Sequence, residues 1–225
     1  MGRFLFVVAH PDDEILGAGA FIHKKAKEGN EIYVCVLNCF DFTRYENERE
    51  KLIYDMKKSH EIIGVKKCYI GDFEDGDFGN ENHRDIVKFI EKAIADCQPE
   101  YIFTNHKNDL NYDHFITAKC CEEAARYSHR GIYLSNELIG FFYMNTISET
   151  DWRWGNDGFN GVMFAQVDEE DVEKKIEALN VYEGVVRRDP HPRSPENIMA
   201  NAKVKGSRCK SIYAEEFEVA YLKWN

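Results

Sequence analysis

No stretch of this 225-residue chain stays apolar for the ~18 residues that a membrane-spanning helix needs, so no integral membrane segment is expected. Positive charge is scarce: 29 lysines and arginines face 40 aspartates and glutamates, for a formal charge of −11. That balance argues against nucleic acid or an anionic membrane surface as the main partner. It does not exclude an anionic small molecule, because local arginines can override the mean. The seven cysteines are odd in number and scattered, with no Cys-x-x-Cys spacing, so a thiolate zinc site is not expected. Cys120 and Cys121 are adjacent in a helical pattern and poorly placed to pair. No basic, apolar and small-residue segments occur in that order before the first strand pattern. Met1-Gly2 lacks the Ser or Thr at position 6 that myristoylation requires. These absences together predict a reducing, cytoplasmic setting. Repeats, low-complexity tracts and linkers are also missing, so residues 1–225 are read as one domain, long enough to bury most of its apolar surface.

What is present is organised around Phe4-Leu5-Phe6-Val7-Val8-Ala9-His10-Pro11-Asp12-Asp13-Glu14. A continuous apolar run of this length reads as a strand buried on both faces, and Pro11 ends it. A helical pattern follows from Glu14 to Glu28 and stops at Gly29. Further strands are expected at Glu31 to Asn38, Lys67 to Ile70 and Tyr101 to Thr104, with helices at Arg44 to Ile63, Arg84 to Asp96 and Phe115 to Tyr127. Strand-like runs at Leu138 to Met144, Gly161 to Val167 and Tyr213 to Tyr221, and helices at Val172 to Tyr182 and Glu196 to Cys209, complete the chain. The alternation predicts an α/β, Rossmann-like fold: a mostly parallel sheet with helices on both faces and right-handed crossovers. In such sheets the active site lies at the carboxyl ends of the strands.

The strand exits are where the polar residues gather. His10 and Asp13 stand three apart across a strand-to-helix turn and can converge on one point. Borderline cations accept imidazole and carboxylate ligands together, and a catalytic zinc commonly takes three protein ligands and keeps one position open. The third should come from another strand end, and His114, after the fourth strand, is the candidate. Asp12 neighbours a ligand but points elsewhere, which suits a general base for water. Against this stands the plain alternative that these acids cap a helix.

The run Ala9-His10-Pro11-Asp12-Asp13-Glu14 resembles the signature of the LmbE-like (PIG-L) de-N-acetylase family, which includes N-acetylglucosaminyl-phosphatidylinositol deacetylases. Asp113-His114 is similar to its second signature. The resemblance extends to Ser148-Glu149-Thr150-Asp151-Trp152, Pro190-His191-Pro192-Arg193-Ser194 and Tyr213-Ala214-Glu215-Glu216-Phe217, the later motifs marking a bacterial branch. It implies zinc held by His10, Asp13 and His114, Asp12 as base, and hydrolysis of an N-acetyl group on an amino sugar, free or linked to a nucleotide or lipid. The same ligand set admits iron(II) and other divalent ions. Many members carry His three residues before the last ligand; this chain has Asn111, which can donate to an oxyanion but carries no charge.

His191, between two prolines, is a second candidate for the oxyanion or leaving group, and Arg193 offers a fork to an anionic part of the substrate. Asp75 sits in a Phe-Glu-Asp-Gly context resembling a substrate loop of the family, with an ordinary Asp-Gly turn as the alternative. Arg44 and Arg49 open a helix, where one can reach substrate or both face solvent. Asp113 is read as orienting a neighbour and Glu14 as capping or supporting the site. His106 supports the site from behind or is plain loop; His23, His60, His83 and His129 have no partner spacing; Trp152 and Trp154 stack on a sugar ring or pack in the core or a lid. A nucleotide-binding module rests only on Gly17-Ala18-Gly19, an incomplete fingerprint that falls within the helix. A homo-oligomer stays among the options.

Overall fold

The structure is a computed structural model that describes residues 1–40, 44–45, 48–129, 137–155 and 157–224. Among the described residues seven strands form one sheet: β1 (Arg3–Val8), β2 (Glu31–Val36), β3 (Lys67–Ile70), β4 (Tyr101–Thr104), β5 (Gly140–Met144), β6 (Met163–Val167) and β7 (Tyr213–Leu222). Their order is β3-β2-β1-β4-β5-β7-β6. The pairs from β3 to β5 are parallel, and β7 runs antiparallel between β5 and β6. The sheet is therefore mostly parallel, as expected.

Strand β1 lies at the centre and explains the unbroken apolar run at its position. Phe4, Phe6 and Val8 point into one buried cluster, and Leu5, Val7 and Ala9 into the other. The first cluster is covered by α1 (Asp13–Lys27), α2 (Arg49–Ile63), α5 (Glu169–Leu179) and α6 (Pro195–Arg208). The second is covered by α3 (His83–Cys97) and α4 (Tyr112–His129). With both faces apolar, alternation cannot appear in the strand. Phe6, Phe103 and Phe142 stack in series across β1, β4 and β5, with centroids 4.9 and 4.8 Å apart.

Several boundaries differ from the sequence reading, each for a local reason. Helix α2 starts at Arg49 and not Arg44, because Glu48 is non-helical (φ −78°, ψ 69°). Helix α4 starts three residues early: Asn111 Oδ1 accepts from Asp113 N at 3.0 Å, so this asparagine ends the loop. Helix α5 spans Glu169–Leu179, its start fixed by the Asp171 carboxylate accepting from Asp168 N at 2.8 Å. Between β2 and α2, residues 41–43 and 46–47 lie outside the described residues. None of the described helices is long and apolar enough to cross a membrane.

The glycines of Gly17-Ala18-Gly19 sit inside α1 and not in a phosphate-binding turn. A Cβ at Gly17 would come within 2.8 Å of Met144 Cβ, so this glycine lets the helix approach β5. The feature that suggested a nucleotide is thus a packing device.

The strand order also fixes where a site can form. From β1 the chain steps to β2 and β3 on one side, then crosses to β4 on the other. The gap between the ends of β1 and β4 is a topological switch point, the crevice where open α/β sheets bind ligands.

Candidate metal centre

The residues that leave β1 and β4 meet in that crevice. His10 Nδ1 is 3.3 Å from His114 Nε2 and 3.7 Å from Asp13 Oδ2, and His114 Nε2 is 3.1 Å from the same oxygen. Ligands on a tetrahedral zinc with bonds of about 2.0–2.1 Å stand about 3.3 Å from one another. The three atoms therefore have the spacing of one face of such a tetrahedron, and their chemistry, two imidazoles and a carboxylate, fits a borderline divalent ion.

Each donor is oriented from behind. His10 Nε2 lies 3.3 Å from Asp113 Oδ2 and 3.2 Å from Asp75 Oδ1. Asp113 is held in turn by Gly76 N at 2.7 Å and Phe78 N at 3.2 Å. Asp13 Oδ2 accepts from His10 N at 3.1 Å and Asn105 Nδ2 at 3.2 Å, while Asn105 Oδ1 accepts from Ala9 N at 2.9 Å. Asp109 stands 3.3 Å from His114 Nδ1 and accepts from Asn111 N and from the Thr150 hydroxyl. That approach is an ion-pair contact, and among the described residues buried His114 Nδ1 has no well-formed hydrogen bond. Carboxylates behind ligating histidines fix the ring and raise its basicity.

The acids are not helix caps. Asp12 occupies the N-cap position of α1, but its side chain bonds no helix amide. Its φ of 96° is unusual for a residue with a Cβ; strain of this kind persists where surroundings over-determine it, often at functional sites. The turn sends the Asp12 carboxylate into the cavity, where Arg44 Nη1 donates to it at 2.7 Å. Glu14 is also no cap: fully buried, it bonds His60 Nε2 at 2.8 Å, and its second oxygen has no hydrogen-bond partner among the described residues. His60, set aside on spacing, thus has a partner 46 residues away. His23 bonds Asp171, His83 bonds Glu123 and His106 bonds Glu218.

The electrostatics follow from these contacts. Burial alone would favour neutral His10 and His114, yet Asp113, Asp13 and Asp75 hold His10 well above its ordinary value, and Asp13 and Asp109 raise His114 to about 10. Burial pushes Asp13 up, but the two imidazoles outweigh it and leave the carboxyl well below the usual range. Burial dominates at Asp12 and raises it to about 6, against the opposing pull of Arg44 and Arg193. A field that holds protons on two buried imidazoles is one that a divalent cation can occupy by displacing them.

A cavity of about 260 Å³ opens over these groups, lined by His10, Pro11, Asp12, Asp13, Phe40, Arg44, Asp75, Asn111, Glu149, Arg187 and Arg193. Of the residues singled out from sequence, buried Glu14, Asp113 and His114 are not on this lining, and neither is His191. Its Nδ1 accepts from Arg193 N at 3.1 Å and its ring packs edge-on to Trp152. Asn111 Nδ2 donates to Glu149 Oε2 at 3.1 Å. Arg193 spans Ser148 Oγ, Ile147 O and Glu149 Oε1 at 2.7, 3.2 and 2.8 Å. Trp154 is 89% exposed, which excludes core packing for that ring. Sequence reasoning assigned no role to Asn105, Asp109, Glu149 or Arg187. Asp109 had one usable signal, a carboxylate within the loop that delivers His114.

Comparison with known proteins agrees with this architecture. The family model described as GlcNAc-PI de-N-acetylase matches residues 5–125, more than half of the chain. The chain belongs to this family, the PIG-L (LmbE-like) proteins. Among solved structures, the conserved protein TT1542 from Thermus thermophilus superposes with a TM-score of 0.78 at 20% identity, covering 100% of this chain and 97% of that one. N,N'-diacetylchitobiose deacetylase from Pyrococcus horikoshii gives 0.75 at 18% identity, with coverage of 97% and 83%. GalB, the 4-carboxy-2-hydroxymuconate hydratase from Pseudomonas putida, also gives 0.75 at 18%, with 100% and 98% covered. These similarities establish a shared fold, and the hydratase shows that the fold alone does not select the reaction.

Proposed function

We propose that this chain is a divalent-cation-dependent hydrolase that removes the N-acetyl group from an N-acetylated amino sugar or its conjugate. The observation that carries the reading is the triangle of His10 Nδ1, Asp13 Oδ2 and His114 Nε2, with the Asp12 carboxylate beside it. Family membership and the chitobiose deacetylase relative point to the same chemistry. Zinc is the first assignment for the three ligands, and iron(II) is compatible with the same donors. Such an ion supplies a Lewis acid for the acyl carbonyl and acidifies water at neutral pH.

The protein's own groups then divide the work. Asp12, buried and raised to about 6, takes the proton from the attacking water and later returns it to the departing amine. Asn111 lies on the cavity wall and can turn its amide from Glu149 to the oxyanion. His191 would need the 190–194 loop to shift before it could share that role. Asp75 faces the cavity and accepts hydrogen bonds from sugar hydroxyls, while Arg44, Arg187 and Arg193 line a zone suited to an anionic substituent. The seven cysteines are free, in keeping with a reducing cytoplasmic setting.

Metal analysis paired with acetate release from a panel of N-acetylated amino sugars tests the proposal. Asp12→Asn should reduce kcat by at least a thousandfold and leave zinc content unchanged. Equal loss of metal would make Asp12 a ligand and overturn its role as base. A second reading, hydrolysis of another small amide or a sugar ester, uses the same three ligands and the same base. Metal binding without acetate release from any amino sugar would select it.

A further inference from the structure

Helix α1 is broken at its centre, and the groups that fill the break come from far along the chain. Ala18 has φ −149° and ψ 15°, outside the helical region. Such a break leaves carbonyls on one side and amides on the other without helical partners. Lys175 Nζ, from α5, donates to Leu16 O at 2.8 Å. Glu215, from β7, accepts from Phe21 N at 2.7 Å and from Ala20 N at 3.4 Å. The two side chains bind each other at 2.6 Å, and both are buried.

The placement is specific in three ways. In an unbroken helix Ala20 N would donate to Leu16 O; here the ion pair stands between those two groups. The charges have the favourable sense, an ammonium at the carbonyl end of the upstream piece and a carboxylate at the amide end of the downstream piece. Gly19 supplies the room, since a Cβ there would come within 2.9 Å of Lys175 Cγ. A buried ion pair is a poor way to gain stability compared with apolar side chains of similar volume. Its presence asks for a role in geometry.

The piece upstream of the break is Asp13–Gly17, little more than one turn. It carries Asp13 and follows Asp12, and both pieces pack into the same buried cluster, through Ile15 and Leu16 upstream and Ala20, Phe21 and Ile22 downstream. We propose that Lys175 and Glu215 are positioning residues for the metal centre: their ion pair caps both sides of the break and fixes the direction in which Asp12 and Asp13 meet His10 and His114. The inference rests on the reading of that centre as a divalent-cation site.

The double variant Lys175→Met/Glu215→Leu leaves no charge unpaired and allows the Ala20 N to Leu16 O bond to form. Zinc affinity is measured by competition titration, and the visible bands of the cobalt(II) form report the ligand geometry. A variant that melts cooperatively, binds zinc at least tenfold more weakly and shows altered cobalt bands supports the proposal. A folded variant with zinc affinity within twofold of the wild type and unchanged cobalt bands overturns it. Should the double variant fail to fold, Glu215→Gln, which keeps the shape, carries the same readouts and the same decision. A wild-type protein that binds neither ion overturns the functional reading instead. The positioning role is then decided by amide hydrogen exchange across Asp13–Gly17: tenfold faster exchange in the folded variant supports it, and unchanged exchange refutes it.

Discussion

Replacing Asp113 by asparagine tests whether the carboxylate behind His10 sustains the metal centre. Asp113 Oδ2 lies 3.3 Å from His10 Nε2, and the side chain is 1% exposed. A carboxylate and a unit positive charge at that distance attract by about 5 kcal/mol at an effective dielectric constant of ~20. Only the part that Asp75 and solvent do not replace appears as lost affinity, and loss of such outer carboxylates costs about 10–100-fold in metal binding, or about 1.4–2.7 kcal/mol. The asparagine has a second defect. Asp113 accepts from Gly76 N and Phe78 N through different oxygens, so an amide must turn its NH2 towards one of two N–H groups. One unmade buried bond adds about 1–3 kcal/mol of lost stability. Asp75→Asn is the control, since that carboxylate is 31% exposed and shares the same nitrogen. Isothermal titration with zinc should show a 10–100-fold weaker Kd for Asp113→Asn and less than a threefold change for Asp75→Asn. Wild-type affinity in a folded Asp113→Asn protein would refute the assignment of Asp113 as the group that orients His10.

Gly17→Ala should destabilise the protein by about 1–3 kcal/mol, because its Cβ would meet Met144 Cβ at 2.8 Å and overpack α1 against β5. Denaturant unfolding measures this, and a change below about 0.5 kcal/mol would mean that the helix can shift at no cost. His60→Ala strips the described partner from buried Glu14 and should cost about 3–5 kcal/mol. A midpoint unchanged in urea would show that Glu14 is satisfied by other means. Zinc at a thousand times its Kd should stabilise the folded chain by about 4 kcal/mol, read as a rise in Tm that a chelator reverses. No zinc-dependent shift would count against a preformed three-ligand centre.

What was legible in the sequence was whatever depends on neighbours along the chain. The run Phe4–Val8 named a central strand because burial on both faces removes alternation. The crossing of strand and helix patterns then placed His10 and His114 at strand exits, which is enough to bring them together in a parallel sheet. Partners brought by packing were not legible. Nothing near His60 announces Glu14, and nothing near Ala18 announces a break, because its stabilising groups arrive from Lys175 and Glu215, far along the chain. Local pattern also misplaced the start of α2: Arg44 reads as a helical residue, yet it turns back to Asp12. The capping explanation for the acids failed for a related reason. It weighs only the helix they precede, and the cavity beyond the turn is a stronger claimant.

The cavity draws on two lengths of chain that differ in what they contribute. The segment matched by the family model, residues 5–125, contains His10, Asp12, Asp13, Asp75, Asn111, Asp113 and His114. Glu149, Arg187 and Arg193 enter from beyond it, and Glu149 reaches the centre itself, 3.6 Å from His114 Nε2 and 3.1 Å from Asn111 Nδ2. The two lengths are thereby laced together: a change in the later loops is felt at Asn111 and His114. The Arg193 guanidinium, tied back to Ser148 and Glu149, braces the carboxylate that makes this link. A single substitution at Arg193 therefore acts at two removes, freeing Glu149 first and the Asn111 amide through it.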